Sequence, residues 1–341
     1  MLDHDDDMTH AAQMALARHG FQRTRIEDTR VGCMSYAGMT ITKMRAIDLV
    51  GGRQLLVSIS CSDEGVDIAS KMGFIQSHLL WLEALCRGSD IVVQTPVRND
   101  KHDLVTLIPG EGGLPETICT VVHWIAGEEL PDCGGHLPPL GLAERMGGLC
   151  ARLHSHAERW TAPPSFERHV YDIPRIRESF ARLRVAVDSG CLSDEDHALL
   201  LNASPIVEDL AARAGQEPAV WGVAHGDFAN DNCVVHEDEV LPIDFDFCFV
   251  GHYMREVART FTLMKTGDST RDDAFRSAFR AGYEAVRPLS DSERRLLAAY
   301  MVETAVDFWA DRPADWGTAR ELAEIVSGPC RDLLGLPLRH Q

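Results

Sequence analysis

The sequence predicts an α+β chain with two lobes: a small antiparallel sheet with one long helix, then a larger and mainly helical region. Three observations carry this. Short β-prone runs crowd into the first third, 3.6-residue periodicity dominates from residue 142 onward, and a Gly/Pro-rich stretch from Pro131 to Pro139 separates the two. The boundaries that follow are residues 1–124 for the first lobe and 125–341 for the second, with a hinge near residues 121–130.

In the first lobe, β-prone segments occupy Gly38–Ala46 and Gln54–Ser60, with Gly51-Gly52 between them as a hairpin signal. Ile68, Met72, Ile75, Leu79 and Leu82 recur at steps of four and three, a helix that should end near Arg87-Gly88. Strands are expected over Asp103–Ile108 and Ile118–Trp124. In the second lobe, Leu142, Met146, Leu149 and Leu153 share one helix face up to His156, and Ser155–Ser165 reads as loop. Helices are expected over Pro174–Asp188 and Ser193–Ala214, a β segment over Ala219–Phe249, and a capping box at Ser290-Asp291-Ser292-Glu293 before a last helix, Leu296–Ala310.

Composition narrows the function. The 341 residues are 45% hydrophobic and 25% charged, within the range of ordinary globular proteins. With 33 Lys and Arg against 52 Asp and Glu, the formal charge is -19. Such a surface repels nucleic-acid backbones and anionic lipid, so the expected partner is a small molecule, with no nucleic acid and no membrane. Ten cysteines are scattered without a C-x-x-C pair, several inside apolar runs (Cys119, Cys233, Cys248). The start, Met1-Leu2-Asp3-His4-Asp5-Asp6-Asp7, is the opposite of a basic leader, and no apolar stretch approaches the ~18 residues a membrane span needs. The expectation is a reduced, cytoplasmic chain, monomeric or a homodimer.

Chemistry concentrates in one segment. His225-Gly226-Asp227-Phe228-Ala229-Asn230-Asp231-Asn232 lies between two apolar runs, and Ile243-Asp244-Phe245-Asp246 follows with two acids in an apolar strand. A turn-forming role is the ordinary reading of any one such acid, but burying several costs several kcal/mol unless they are paired or hold a cation. Phosphoryl transfer uses such a set: a carboxylate to accept the hydroxyl proton, and oxygen ligands for the ion on the nucleotide phosphates. Asp227 can be the base, Asn232 the amide ligand and Asp244 the carboxylate ligand.

These residues resemble the H-x-D-x-x-x-x-N and I-D-F signature of the aminoglycoside phosphotransferase/choline kinase family. Other pieces agree in order. Ser35-Tyr36 resembles the family's S-Y-x-N strand start and Trp81-Leu82-Glu83-Ala84-Leu85 its W-L-x-A-L helix. Val122-His123-Trp124-Ile125-Ala126-Gly127 resembles its interlobe hinge, and Ala151-Arg152-Leu153-His154 with His156-Ala157-Glu158-Arg159-Trp160 its A-R-L-H…H-A-x-x-W stretch. The match spans roughly residues 30–262.

The resemblance implies a protein-kinase-like bilobal fold with ATP between the lobes, and transfer of its γ-phosphoryl group to a hydroxyl of a small-molecule acceptor, for which the acidic charge tolerates an amine. It implies Asp227 as base and Asn232 and Asp244 as Mg²⁺ ligands, with Asp246 assisting as the second acid of an I-D-F-D-D subgroup. Ser35, Tyr36, Val122, His123 and Trp124 fall at nucleotide-binding positions. His225 is structural, its ring bonded to a downstream acid; the family's Y-D-L-A reads Arg255-Glu256-Val257-Ala258 here, which gives that role to Glu256.

Two positions depart from the family. Ser58 stands where its third strand carries the phosphate-binding cation, and His78 aligns with the glutamate that pairs with that cation. Losing both avoids a lone buried charge. Lys43 or Arg45, two apart on the neighbouring strand, is expected to compensate, and Arg53, an odd five residues from Ser58, is not. A catalytically impaired nucleotide-binding protein is the alternative reading. A metallohydrolase using His225, Asp227, His236 and Asp244 is a third, weakened by His236 lying in the polar turn His236-Glu237-Asp238-Glu239. His154 and His156 are two apart, wrong for ligands on one helix face, so His154 reads as packing. Glu303 and Asp307, four apart, read as a solvated helix face rather than an acceptor site.

Overall fold

The first unit opens with helix α1 (Leu2–Arg18) and continues through β1 (Thr24–Tyr36), β2 (Met39–Asp48), β3 (Gln54–Ser62), α2 (Met72–Gly88), β4 (Val105–Ile108) and β5 (Thr117–His123). The computed structural model describes residues 2–36, 38–62, 67–110, 115–130, 136–310 and 316–337. The chain divides into two units, residues 1–127 with 162–168, and residues 128–161 with 169–341.

In the first unit the strands form one antiparallel sheet in the order β1-β2-β3-β5-β4. The turn from β2 to β3 forms because the Asp48 carboxylate accepts the amides of Val50 and Gly51 at 3.0 and 3.1 Å. Helix α1 and strand β1 add to the elements expected from sequence. Ala11, Ala12, Ala15 and Leu16 of α1 pack with Met44, Val57, Ile59, Cys119 and Val121. Side chains alternate along a strand, so this packing assigns the other face to Lys43, Ser58 and Thr120, which lie side by side in register. The periodic helix begins as a 3₁₀ turn, Ile68–Lys71, runs into α2 and ends at Gly88.

The second unit comprises β6 (Glu128–Glu129), α3 (Leu140–Arg159), α4 (Ile173–Arg182), α5 (Arg184–Asp188), α6 (Asp194–Ala214), β7 (Trp221–Ala224), β8 (Cys233–His236), β9 (Glu239–Pro242), β10 (Phe249–His252), α7 (Tyr253–Leu263), α8 (Ser269–Val286), α9 (Asp291–Ala310) and α10 (Trp316–Ile325). Strands β6, β8 and β9 make one small antiparallel sheet, and β7 with β10 another. Of the Gly/Pro-rich stretch expected to mark a boundary, residues 131–135 lie outside the described residues.

Two local expectations change, and two helix starts form as expected. Helix α3 runs on through Arg159 where a loop was expected from Ser155, because the Ser155 hydroxyl donates to the Ala151 carbonyl at 2.8 Å and His156 and Ala157 are buried. The helix expected over Pro174–Asp188 breaks at Leu183 into α4 and α5. Ser193 caps α6 by accepting the Asp196 amide at 3.0 Å, and the Ser290–Glu293 box closes reciprocally at the start of α9. The nine described cysteines are free thiols, and burial pushes Cys119 up to about 12. No described helix is long and apolar enough to cross a membrane.

Candidate active site

Strand β7 ends at Ala224 and delivers His225, Gly226 and Asp227 into a loop that a 3₁₀ turn, Asn230–Asn232, returns to β8. Gly226 has φ +87°, and a Cβ there would stand 2.1 Å from the Phe247 carbonyl oxygen, so no other residue fits. The β8–β9 hairpin closes through Glu237 and Asp238, both at positive φ, in a two-residue turn. Its register pairs Cys233 with Pro242, and the Ile243 amide donates to the Asn232 carbonyl at 3.0 Å. The open end of the hairpin therefore brings Asn232 beside Asp244, although they are distant in the chain.

Asp227 is held from both sides. The Asn232 Nδ2 group donates to Asp227 Oδ2 at 2.9 Å and to its carbonyl oxygen at 2.8 Å. Arg259 Nη2 donates to Oδ1 at 3.2 Å while Arg259 Nε donates to the Gly226 carbonyl at 2.7 Å. Asp227 stays partly exposed, its side chain at 23%, whereas His225, Phe228 and Asn232 beside it are buried.

Helix α7 clamps this loop. Glu256 Oε1 accepts the Gly226 amide at 2.5 Å, and Thr260 Oγ1 donates to the Phe228 carbonyl at 2.8 Å. Glu256, Arg259 and Thr260 are spaced i, i+3, i+4 and so share one helix face. Burial alone would raise the Glu256 carboxyl, but the hydrogen bond from His154 and the Gly226 amide hold it below its ordinary value. His154 Nε2 donates to Glu256 Oε2 at 2.6 Å, and Tyr283 OH donates to His154 Nδ1 at 2.8 Å. Burial lowers His154, keeping the ring neutral.

The role expected of Glu256 is corrected in one respect. His225 is fully buried, as a structural residue should be, but its ring does not bond to Glu256. Its Nε2 donates to the Ile243 carbonyl at 2.8 Å, and its Nδ1 accepts the Asp227 amide at 3.4 Å. Glu256 instead holds the backbone of the same loop at Gly226. The two-metal set is also not assembled: both His225 nitrogens are engaged, and His236 is exposed on the β8–β9 hairpin. Cys150, His154 and Glu256 cluster within 4.8 Å, but they are bonded to one another in the core.

Asp244 occupies the left-handed region, φ 63° and ψ 67°, a conformation that costs of order 1–3 kcal/mol for a non-glycine residue and gathers at functional sites. Asp246 follows in a 3₁₀ turn and is buried. Because the Asn232 amide hydrogens point at Asp227, its Oδ1 is left as the acceptor side of that group. Asn232, Asp244 and Asp246 thus offer a set of hard oxygen donors, the chemistry that a small divalent cation such as Mg²⁺ takes.

The positions expected at the nucleotide lie in the first unit. Lys43 stands directly across the ladder from Ser58, with Gly32 on its other side. Residues opposite each other in a ladder project from the same face, so the Lys43 cation is the immediate neighbour of the position where the family places its own. Arg45 lies on that face too, stacked over Trp124 at 5.5 Å. Arg53 is taken up elsewhere, 3.6 Å from Asp48 and over the Phe21 ring at 5.2 Å. Val122 pairs with Leu56, and the amides of His123 and Trp124 donate to the Thr95 and Gln54 carbonyls at 2.9 and 3.0 Å. Ser35 and Tyr36 end β1, with Tyr36 against the Phe74 ring. His78 Nδ1 accepts from Arg168 Nη2 at 2.8 Å, so a histidine–arginine contact stands where the family has an acid.

Glu303, expected on a solvated face, is buried, and Asp307 beside it is only partly exposed. Arg255 lies between them, its Nε 2.9 Å from Glu303 Oε2 and its Nη2 2.8 Å from Asp307 Oδ2, with Tyr171 stacked on the guanidinium. Asp307 also accepts from Ser179 and Arg182 at 2.7 and 3.1 Å. Arg255 and Arg259 were not singled out from the sequence. Their signal was present: Arg259 is three residues past Glu256 on the face that meets the loop.

The fold is of the kinase-like class. A solved microcompartment-associated aminopropanol kinase matches with TM-score 0.69 at 20% identity, covering 97% of this chain and 99% of that one. An amicoumacin kinase solved with AMP-PNP and Ca²⁺ matches with TM-score 0.66 at 15% identity, covering 96% and 95%. The chain belongs to the phosphotransferase enzyme family, whose model matches residues 89–295. Among curated relatives, the homoserine kinase of Polaromonas naphthalenivorans is 32% identical over 189 residues, 53% of this chain and 55% of that protein. The chain spans about half the length of the curated relatives it matches.

Proposed function

We propose that the chain is an ATP-dependent phosphotransferase that moves the γ-phosphoryl group of ATP to a hydroxyl of a small, amine-bearing acceptor. The observation that carries this reading is the carboxylate of Asp227, aimed by Asn232 on one oxygen and Arg259 on the other while remaining accessible. In the reaction, the acceptor oxygen bonds to the γ-phosphorus as the bond to the β-bridging oxygen breaks. Asp227 takes the hydroxyl proton, and ADP leaves. Asn232, Asp244 and Asp246 are the residues that would hold Mg²⁺, which when bound neutralises charge on the nucleotide phosphates. Glu256 keeps the loop in shape through Gly226, and His225 ties the Asp227 amide to the Ile243 carbonyl, the residue before Asp244.

Ser35, Tyr36, Lys43, Arg45, Val122, His123 and Trp124 are assigned to the nucleotide. The backbone amides of His123 and Trp124 are already donated within the sheet, so these two would contribute through carbonyls and side chains. Residues 1–124 are assigned to nucleotide binding and 125–341 to catalysis and the acceptor. The setting is a cytoplasmic monomer or homodimer without nucleic-acid or membrane partners.

The deciding experiment measures ADP formation from ATP and Mg²⁺ with and without hydroxyl acceptors, homoserine and amino alcohols first because relatives act on such compounds by name. Acceptor-dependent ADP with a phosphorylated product supports the reading. A second reading, nucleotide binding without turnover, draws on Ser58 and on the His78–Arg168 contact. ATP binding without product under every acceptor would favour it.

A further inference from the structure

We propose that Arg259 selects the acceptor: the compound phosphorylated carries a carboxylate close to its reacting hydroxyl, and the Arg259 guanidinium binds it. This rests on the phosphotransferase reading with Asp227 as base. Arg259 is fixed by three contacts, Nη2 to Asp227 Oδ1 at 3.2 Å, Nε to the Gly226 carbonyl at 2.7 Å, and the Phe308 ring 5.3 Å from its central carbon. Nη1 donates no hydrogen bond among the described residues, and the side chain is 16% exposed.

A base must come within about 2.6–3.2 Å of the hydroxyl it deprotonates. Any acceptor on Asp227 therefore places its neighbouring atoms beside this guanidinium. The planar fork of an arginine matches a carboxylate in shape and charge, and it repels an ammonium. A second observation points the same way. Glu303 and Asp307, the acids that an acceptor amine could have met on α9, are instead bound by Arg255. In a chain of formal charge -19, the group presented next to the base is a cation.

The test uses matched acceptors that differ only by the carboxylate: homoserine and 3-amino-1-propanol, threonine and 1-amino-2-propanol, serine and ethanolamine. The kcat/KM of each is measured for the full chain with ATP and Mg²⁺. We expect the carboxylate-bearing member of the accepted pair to be favoured at least tenfold. Arg259→Gln should bring that ratio close to one, chiefly by raising the KM of the carboxylate acceptor, with the KM for ATP unchanged, and Arg259→Lys should recover part of it. Equal loss on both members of a pair in Arg259→Gln would make Arg259 only a positioner of Asp227 and overturn the inference, as would preference for the amine lacking a carboxylate. ADP formation with none of the six overturns it, and the phosphotransferase reading falls with it only where no other hydroxyl acceptor supports turnover either.

Discussion

Glu256, buried in helix α7, accepts the backbone amide of Gly226 at 2.5 Å and so anchors the loop that carries Asp227 from a helix thirty residues further along the chain. The same carboxylate accepts the His154 Nε2 hydrogen at 2.6 Å. Removing it leaves a buried amide and a buried imidazole hydrogen without partners. We expect Glu256→Ala to destabilise the chain by about 3–5 kcal/mol, the range for breaking a buried charged contact. Glu256→Gln keeps an acceptor for Gly226, and His154 can switch tautomer to accept from the new amide, so it should cost only about 1–2 kcal/mol. Urea unfolding of both variants measures the difference, and equal losses would show that the Gly226 contact contributes little.

Asp227→Asn keeps an acceptor oxygen for one of its two donors, Asn232 or Arg259, and removes the basic carboxylate. Turnover should fall by about 10²–10⁴, the usual contribution of a positioned general base, with ATP affinity and thermal midpoint near wild type. Turnover within a few-fold of wild type would remove Asp227 from the role of base.

Lys43 shares its sheet face with Ser58, and Arg53 is held by Asp48. A charge-assisted contact to a phosphate is worth about 1.5–3 kcal/mol, so Lys43→Ala should weaken ATP binding roughly tenfold to a hundredfold. Arg53→Ala should leave it within about twofold. Calorimetric titration of ATP into folded variants reads this directly. Should Lys43→Ala bind ATP as wild type does, and Ser58→Lys bind it more tightly, the chain lacks a working substitute for the missing cation.

Burial pushes the Glu303 carboxyl up from 4.5 to about 7, against the pull of Arg255. Between those values the folded chain retains a proton that the unfolded chain has released, so stability is fully present below about pH 4.5 and declines as pH rises through about 7. The span corresponds to roughly 3 kcal/mol. Asp307 shifts the other way, its loss lying at acid pH and outside this window. Glu303→Gln, which still accepts from Arg255, should flatten the decline between pH 5 and pH 8 relative to wild type. Parallel pH–stability profiles for the two proteins would mean that Glu303 is ionised throughout.

The sequence by itself carried what short spacing encodes. The hairpin of β2 and β3 follows from alternating apolar residues about Gly51-Gly52, and the Ser290–Glu293 box is a four-residue signal completed by two local hydrogen bonds. Asp227, Asn232, Asp244 and Asp246 were legible for the same reason: they fall within twenty residues around one hairpin, so little beyond its register is needed to gather them.

Tertiary structure decided the rest. Glu303 and Asp307 have the same spacing on a wet helix face as on a buried one, and only the arrival of Arg255 from α7 distinguishes the two. The helix face that carries Glu256 also determines that Arg259 reaches Asp227, because residues three apart project together once one of them is docked. His225 bonds to a backbone carbonyl, a partner that no side-chain pattern announces. Lys43 became the neighbour of Ser58 through strand register, which depends on which face of the sheet α1 covers. Spacing within an element is a local property of the chain, whereas burial and charge pairing between elements exist only after packing has chosen which faces meet.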